Sequence, residues 1–176
     1  MLQVDPIAEA RRNWEAHGWT AAAPAMAVVT SIMRVQQLLL ARVEAALRPH
    51  GLTFARYEVL MLLSFSRRGS LPLGKIGERL QVHPASVTNA VDRLEAQRLV
   101  RRQRHPTDRR AVLAVLTPRG RSVAAAATID VNELFEALPL VDPDRLFEQL
   151  RGVREAAGDF GASDAPGTRL PCDERT

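Results

Sequence analysis

The chain has 176 residues, 46% of them hydrophobic and 25% charged, which suits one globular domain with terminal arms. It offers no run of about 20 uncharged apolar residues, so neither a membrane span nor a membrane partner is expected. Acidic residues at Asp5, Glu9 and Glu15 interrupt the first turns where a secretory signal would be apolar, which points to the cytoplasm. A single cysteine, Cys172, excludes an internal disulfide framework and a multi-cysteine zinc site.

Ile7 to His17 is charged, with Ile7 and Trp14 seven apart, and reads as a short arm helix that Gly18 ends. From Ala25 to Leu47 a mostly apolar stripe (Val29, Ile32, Met33, Gln36, Leu39, Leu40, Val43, Leu47) recurs in steps of three and four, and Pro49 with Gly51 closes it. That is a helix of roughly 35 Å, and apolar residues off the stripe at Leu38 to Leu40 call for a second copy of the chain to cover them. Thr53 is placed to cap a helix from Phe54 to Phe65 by accepting from the amides that follow it, before Arg67 to Ser70 turn the chain. Two short helices come next. Leu73, Ile76 and Leu80 mark the inner face of one; Val87, Val91 and Leu94 mark the other. Between them Gln81 to His83 forms a tight turn, with His83 as cap and Pro84 in the first helical turn.

Leu99 to Arg104 and Ala111 to Leu116 are β-favouring runs separated by a polar tip at His105 to Arg110, which reads as a hairpin. A helix-turn-helix followed by such a hairpin is a winged helix. Thr117-Pro118 starts a helix through Val123 to Leu138, a second runs from Asp144 to Ala157, and 161–176 reads as a disordered tail. The fold class is therefore mainly α with a small β-hairpin wing: an arm helix in 1–20, a dimerisation helix in 21–52, the winged helix-turn-helix in 53–117 and C-terminal dimerisation helices in 118–160.

Charge is concentrated in the wing region. The net charge of the chain is only +4, yet between His83 and Arg121 there are nine arginines against three acids. Such a block is either a solvated face or a surface for polyanion, and its neighbours decide. With Val87, Val91 and Leu94 turned inward, the second short helix turns Ala85, Asn89, Asp92 and Arg93 outward, with Ser86 and Thr88 on the flanks. A small, hydrogen-bonding face of this kind fits a major groove about 12 Å wide, where Asn89 can meet an adenine edge and Ser86 or Thr88 a base or a thymine methyl. Arg93 would reach phosphate. Asp108 and Arg110 can pair across the wing tip and hold Arg110 toward a minor groove, leaving Arg109 for phosphate. Lys75, the only lysine, and Pro84 complete the DNA-facing set.

The segments PASVTNAVDRLEAQRLVRR and DRRAVLAVLTPRG, within Leu73 to Arg121, resemble the winged-helix core of the MarR (multiple antibiotic resistance regulator) family, and the likeness extends from Ala25 to Ala157. The resemblance implies a homodimer with interlocked terminal helices that binds a short inverted repeat of double-stranded DNA and releases it when a small molecule or oxidant arrives. It places the family's recognition positions on Ser86, Thr88, Asn89 and Arg93 and its wing arginine on Arg110, beside Asp108. The arm helix with Trp14 resembles a urate-responsive branch, but Ala90 stands where that branch carries a basic residue. Cys172 is not where the peroxide-sensing branch keeps its cysteine. Trp14, Met33 and Tyr57 are candidates to line an effector cleft, although methionine and aromatic residues at helical spacing equally serve as core.

The expected function is a DNA-binding regulator, a repressor more often than an activator, without cofactor or metal. An enzyme finds little support: His17, His50, His83 and His105 are scattered, and Ser70 and Ser86 lack an identifiable base. The alternative is a winged-helix adaptor that binds protein, because fold alone does not fix function. An adaptor would not need Arg93, Arg109 and Arg110 on one side.

Overall fold

The computed structural model describes residues 4–108 and 111–160; Arg109, Arg110 and the tail expected over 161–176 lie outside the described residues. Helix α1 spans Pro6–Ala16, where the Asp5 carboxylate accepts from the amides of Ile7 (2.9 Å) and Ala8 (3.3 Å). Gly18, at φ +87°, turns the chain back, and Trp14 and Trp19 meet edge to face at 5.3 Å across the turn. Helix α2, Ala23–Leu47, packs beside α1 but buries only Ala23, Val43 and Leu47. Much of the anticipated stripe faces outward: Val29, Ile32 and Met33 are all exposed, as are Val28, Val35 and Leu38.

By length and composition alone Ala23–His50 is a helix long and apolar enough to cross a bilayer, although Arg34 and Arg42 leave no uncharged run of about 20 residues in it.

Helix α3 (Phe54–Phe65) contributes Tyr57, Val59, Leu60 and Leu63 to the core. Its cap differs from the expected one. Thr53 occupies the N-cap, but its hydroxyl accepts from Arg56 Nε (3.1 Å), while the Phe54 amide donates to the Glu44 carboxylate of α2 at 2.9 Å. Glu44 thus serves the first amide of α3, and the Thr53 hydroxyl caps none.

Strand β1 (Ser70–Pro72) leads into α4 (Leu73–Leu80) and α5 (Pro84–Ala96), then β2 (Val100–Arg104) and β3 (Val112–Leu116). The wing is thus a three-stranded antiparallel sheet ordered β1-β3-β2, with Leu71 opposite Ala114 and Arg102 opposite the same residue on the other side. The strand Ser70–Pro72 was not anticipated; only Ser70 was read, as the end of a turn. Helix α6 (Pro118–Glu136) starts at Thr117, whose hydroxyl accepts from the Gly120 amide at 2.9 Å, as anticipated for that cap. Helix α7 (Pro143–Ala156) has no buried residue. The core gathers around Leu47, Leu60, Leu63, Ile76 and Leu94, so α2, α3, α4 and α5 share one apolar interior, on which β2, β3 and α6 close.

Candidate nucleic-acid interface

Helix α5 begins where His83 Nδ1 accepts from the Ala85 amide at 3.2 Å, and Pro84 sits in the first turn, where a missing amide hydrogen costs nothing. Burying Val87, Val91 and Leu94 fixes the rotation of the helix about its axis. That rotation leaves Ser86, Thr88, Asn89 and Arg93 exposed together. Among the described residues Ser86, Asn89 and Arg93 make no side-chain hydrogen bond or ion pair, so their donors and acceptors point to solvent. Thr88 differs: its hydroxyl donates to the Pro84 carbonyl at 3.1 Å, which leaves it lone pairs and a methyl to present outward. Ala90, by contrast, is half-buried against the core.

The wing lies beside this face. Its tip is organised by His105, whose backbone amide donates to the Ala111 carbonyl (3.1 Å) and whose Nδ1 accepts from the Asp108 amide (3.1 Å). Asp108 is exposed at the tip; the expected Asp108–Arg110 pair and the phosphate role of Arg109 lie outside the described residues. Arg101 and Arg104 are exposed on β2. Lys75, on α4, is exposed and paired with Glu78 at 2.9 Å, and it borders a cleft of about 560 Å³ shared with His105 and Asp108.

Arg102 departs from the simple count of positive charges. Its guanidinium bonds the Asp92 carboxylate, Glu95 Oε2 (3.0 Å) and the Thr88 carbonyl (3.4 Å). Partial burial opposes its charge, but hydrogen bonds and attraction from Asp92 and Glu95 prevail and push its pKa above the ordinary arginine value. No sequence signal weighted these partners, because a composition count carries no geometry.

The three effector candidates sit apart in character. Trp14 meets Trp19 edge to face in the arm turn, Met33 is 62% exposed on α2, and Tyr57 is buried with its hydroxyl 3.0 Å from Thr128 Oγ1 of α6. An apolar groove of about 1140 Å³ runs between α2 and α7, lined by Val28, Ile32, Val35, Leu39, Leu146 and Leu150 among others, and none of the three lines it. No group of three or more metal-binding side chains occurs among the described residues.

A helix-turn-helix with a polar second helix, joined to a small antiparallel sheet and an arginine-rich hairpin, defines the winged helix-turn-helix class of proteins. The MarR family sequence model matches residues 52–112. The transcriptional regulator MhqR of Bacillus subtilis is 30% identical over 115 residues, covering 63% of this chain and 78% of MhqR. Among solved structures, Sco5413, a MarR family transcriptional regulator from Streptomyces coelicolor, is 51% identical with a TM-score of 0.70, covering 78% of this chain and 97% of Sco5413. Sco3205 of the same organism, solved in complex with DNA, is 27% identical with a TM-score of 0.66, covering 78% of this chain and 88% of that one. The chain belongs to the MarR family of transcriptional regulators.

Proposed function

We propose that this regulator works as a homodimer in the cytoplasm that binds a pseudopalindromic DNA operator, most simply as a repressor, and that a small molecule releases it. The observation that carries the reading is the bare polar face of α5: Ser86, Asn89 and Arg93 are exposed, adjacent and unpartnered among the described residues. Side chains left in this state beside a basic hairpin suit a duplex, where base edges supply the missing partners in the major groove. The solved complex of Sco3205 with DNA supports the same use of the fold. Pro84 and Lys75 flank that face, Arg109 and Arg110 would follow phosphate and the minor groove, and Asp108 would steer Arg110.

The division of labour follows the apolar surface. Residues 53–117 are assigned to DNA, while 21–52 and 118–160 are assigned to pairing with a second copy. Val28, Val35 and Leu38 on α2 and Phe147, Leu150 and Val153 on α7 are exposed in the single chain and offer an apolar surface for a second copy to cover. Covering by a second copy also suits α2 better than lipid does, since Arg34 at mid-helix would cost about 2.5 to 3.5 kcal/mol in a bilayer. Trp14, Met33 and Tyr57 remain the proposed effector-facing residues.

Sedimentation of the full chain with and without DNA tests the pairing. A dimer that binds duplex as one unit supports the reading; a monomer that binds none contradicts it.

A further inference from the structure

We propose that Arg102 is a positioning residue that sets the angle between the recognition helix and the wing, and that its charge is spent inside the protein rather than on phosphate. This rests on the DNA-binding reading above. Thr88, Asp92 and Glu95 lie four and three residues apart, so they form one stripe of α5, on the flank next to the exposed Asn89 and Arg93. Arg102 of β2 meets all three: the Asp92 and Glu95 carboxylates through Nη1, the latter at 3.0 Å, and the Thr88 carbonyl through Nη2 at 3.4 Å. Glu95 also accepts from the backbone amide of Arg102 at 2.8 Å, so one carboxylate grips both ends of the same residue. A single strand residue thus holds about two turns of helix, roughly 10 Å of its length.

Two acids on a helix meant for DNA would repel phosphate unless their charge were engaged elsewhere, and Arg102 engages them. The Arg102 side chain is 27% exposed, against 54% for Asp92 and 39% for Glu95. Ion pairs this open add little to stability, so what the cluster fixes is orientation. A helix free to rotate or slide against the wing would still meet phosphate but would misplace its base contacts, which lowers discrimination rather than overall affinity.

The test uses the full chain, an operator obtained by selection from random duplexes, and a scrambled duplex. Arg102→Gln is expected to reduce the preference for operator over scrambled DNA by about 10-fold or more, the scale of one lost base contact; any weakening on scrambled DNA, from the two freed carboxylates, should be smaller than that on operator and leave the salt slope unchanged. The double change Asp92→Asn with Glu95→Gln should lose preference in the same way although it adds positive charge, and Arg102→Lys should restore only part of it, since an ammonium cannot fork between two carboxylates. Arg93→Gln, the exposed residue of α5 assigned to phosphate, is the contrasting control and should weaken both duplexes. The proposal is overturned if Arg102→Gln weakens both duplexes alike and reduces the salt slope by about 0.9 per protomer, the mark of a lost phosphate contact, or if preference is retained. Circular dichroism reports folding; should Arg102→Gln not fold, the carboxylate double variant decides by the same criteria. A wild-type chain that selects no duplex at all overturns the DNA-binding reading itself.

Discussion

Gly120 lies so close to Leu99 that a Cβ on it would stand 2.0 Å from the Leu99 carbonyl oxygen and 2.9 Å from the Leu116 side chain. The contact seals the first turn of α6 onto the start of the wing. Thr117 reinforces it, donating from Oγ1 toward the carbonyls of Arg98 (2.9 Å) and Leu99 (3.0 Å). Gly120→Ala should therefore destabilise the fold by about 3 kcal/mol, the upper end of overpacking costs, despite a gain of up to about 1 kcal/mol in helix propensity. Thermal unfolding measures it, and a variant as stable as wild type would contradict the packing described.

Arg98 holds a left-handed backbone at φ +60° in the turn from α5 to β2. An L-residue spends about 1 to 2 kcal/mol there, while glycine adds back about 0.5 to 1 kcal/mol of unfolded-state entropy. Arg98→Gly should accordingly raise stability by up to about 1 kcal/mol, and Arg98→Ala should bring no such gain. Denaturant midpoints for the two variants check the difference.

Asn89 is exposed with no side-chain partner among the described residues, so Asn89→Ala should not lower the melting temperature, the better helix propensity of alanine raising it slightly if at all. Its effect should fall on sequence preference instead, relaxing one position per half-site by about 1 to 3 kcal/mol. Comparison of selected sequences for wild type and variant reads this directly. A uniform loss across all sequences would assign Asn89 to the backbone of the duplex.

Glu58 on α3 carries a pKa raised by burial. A carboxyl whose folded pKa exceeds its unfolded value favours the folded state below the unfolded pKa, and that contribution is lost as pH rises through the folded one. Glu58→Gln should then be more stable than wild type at pH 7, and the gain should vanish below about pH 4, where the carboxyl is neutral in both states. Equal gains at both pH values would remove burial as the cause.

Helices were legible because the apolar residues recur at helical spacing and prolines mark their starts: Pro84 in α5 and Pro118 in α6 stand in the first turns where they were expected. Strand β1 was not legible. Ser70-Leu71-Pro72 shows no alternation and becomes a strand only because β3 pairs with it, Ser70 opposite Val115. The cap of α3 failed for a related reason, since Glu44 approaches Phe54 only once α2 and α3 pack. At the site, the outward residues of α5 could be placed by rotation from Val87, Val91 and Leu94. The internal use of Arg102 could not, because pairing with Asp92 and Glu95 joins a strand to a helix across seven and ten residues. Met33 and Tyr57 show the same limit: alike as apolar-stripe residues, they end as one exposed side chain and one buried, hydrogen-bonded side chain.

The most direct measurement is selection of bound duplexes from a random library by the full-length chain, followed by sequencing and footprinting. Two recognition helices related by a twofold axis predict an inverted repeat whose half-site centres lie about 34 to 36 Å apart, one turn of DNA. Enrichment of no sequence, or of an isolated half-site protected by one protomer, would contradict it.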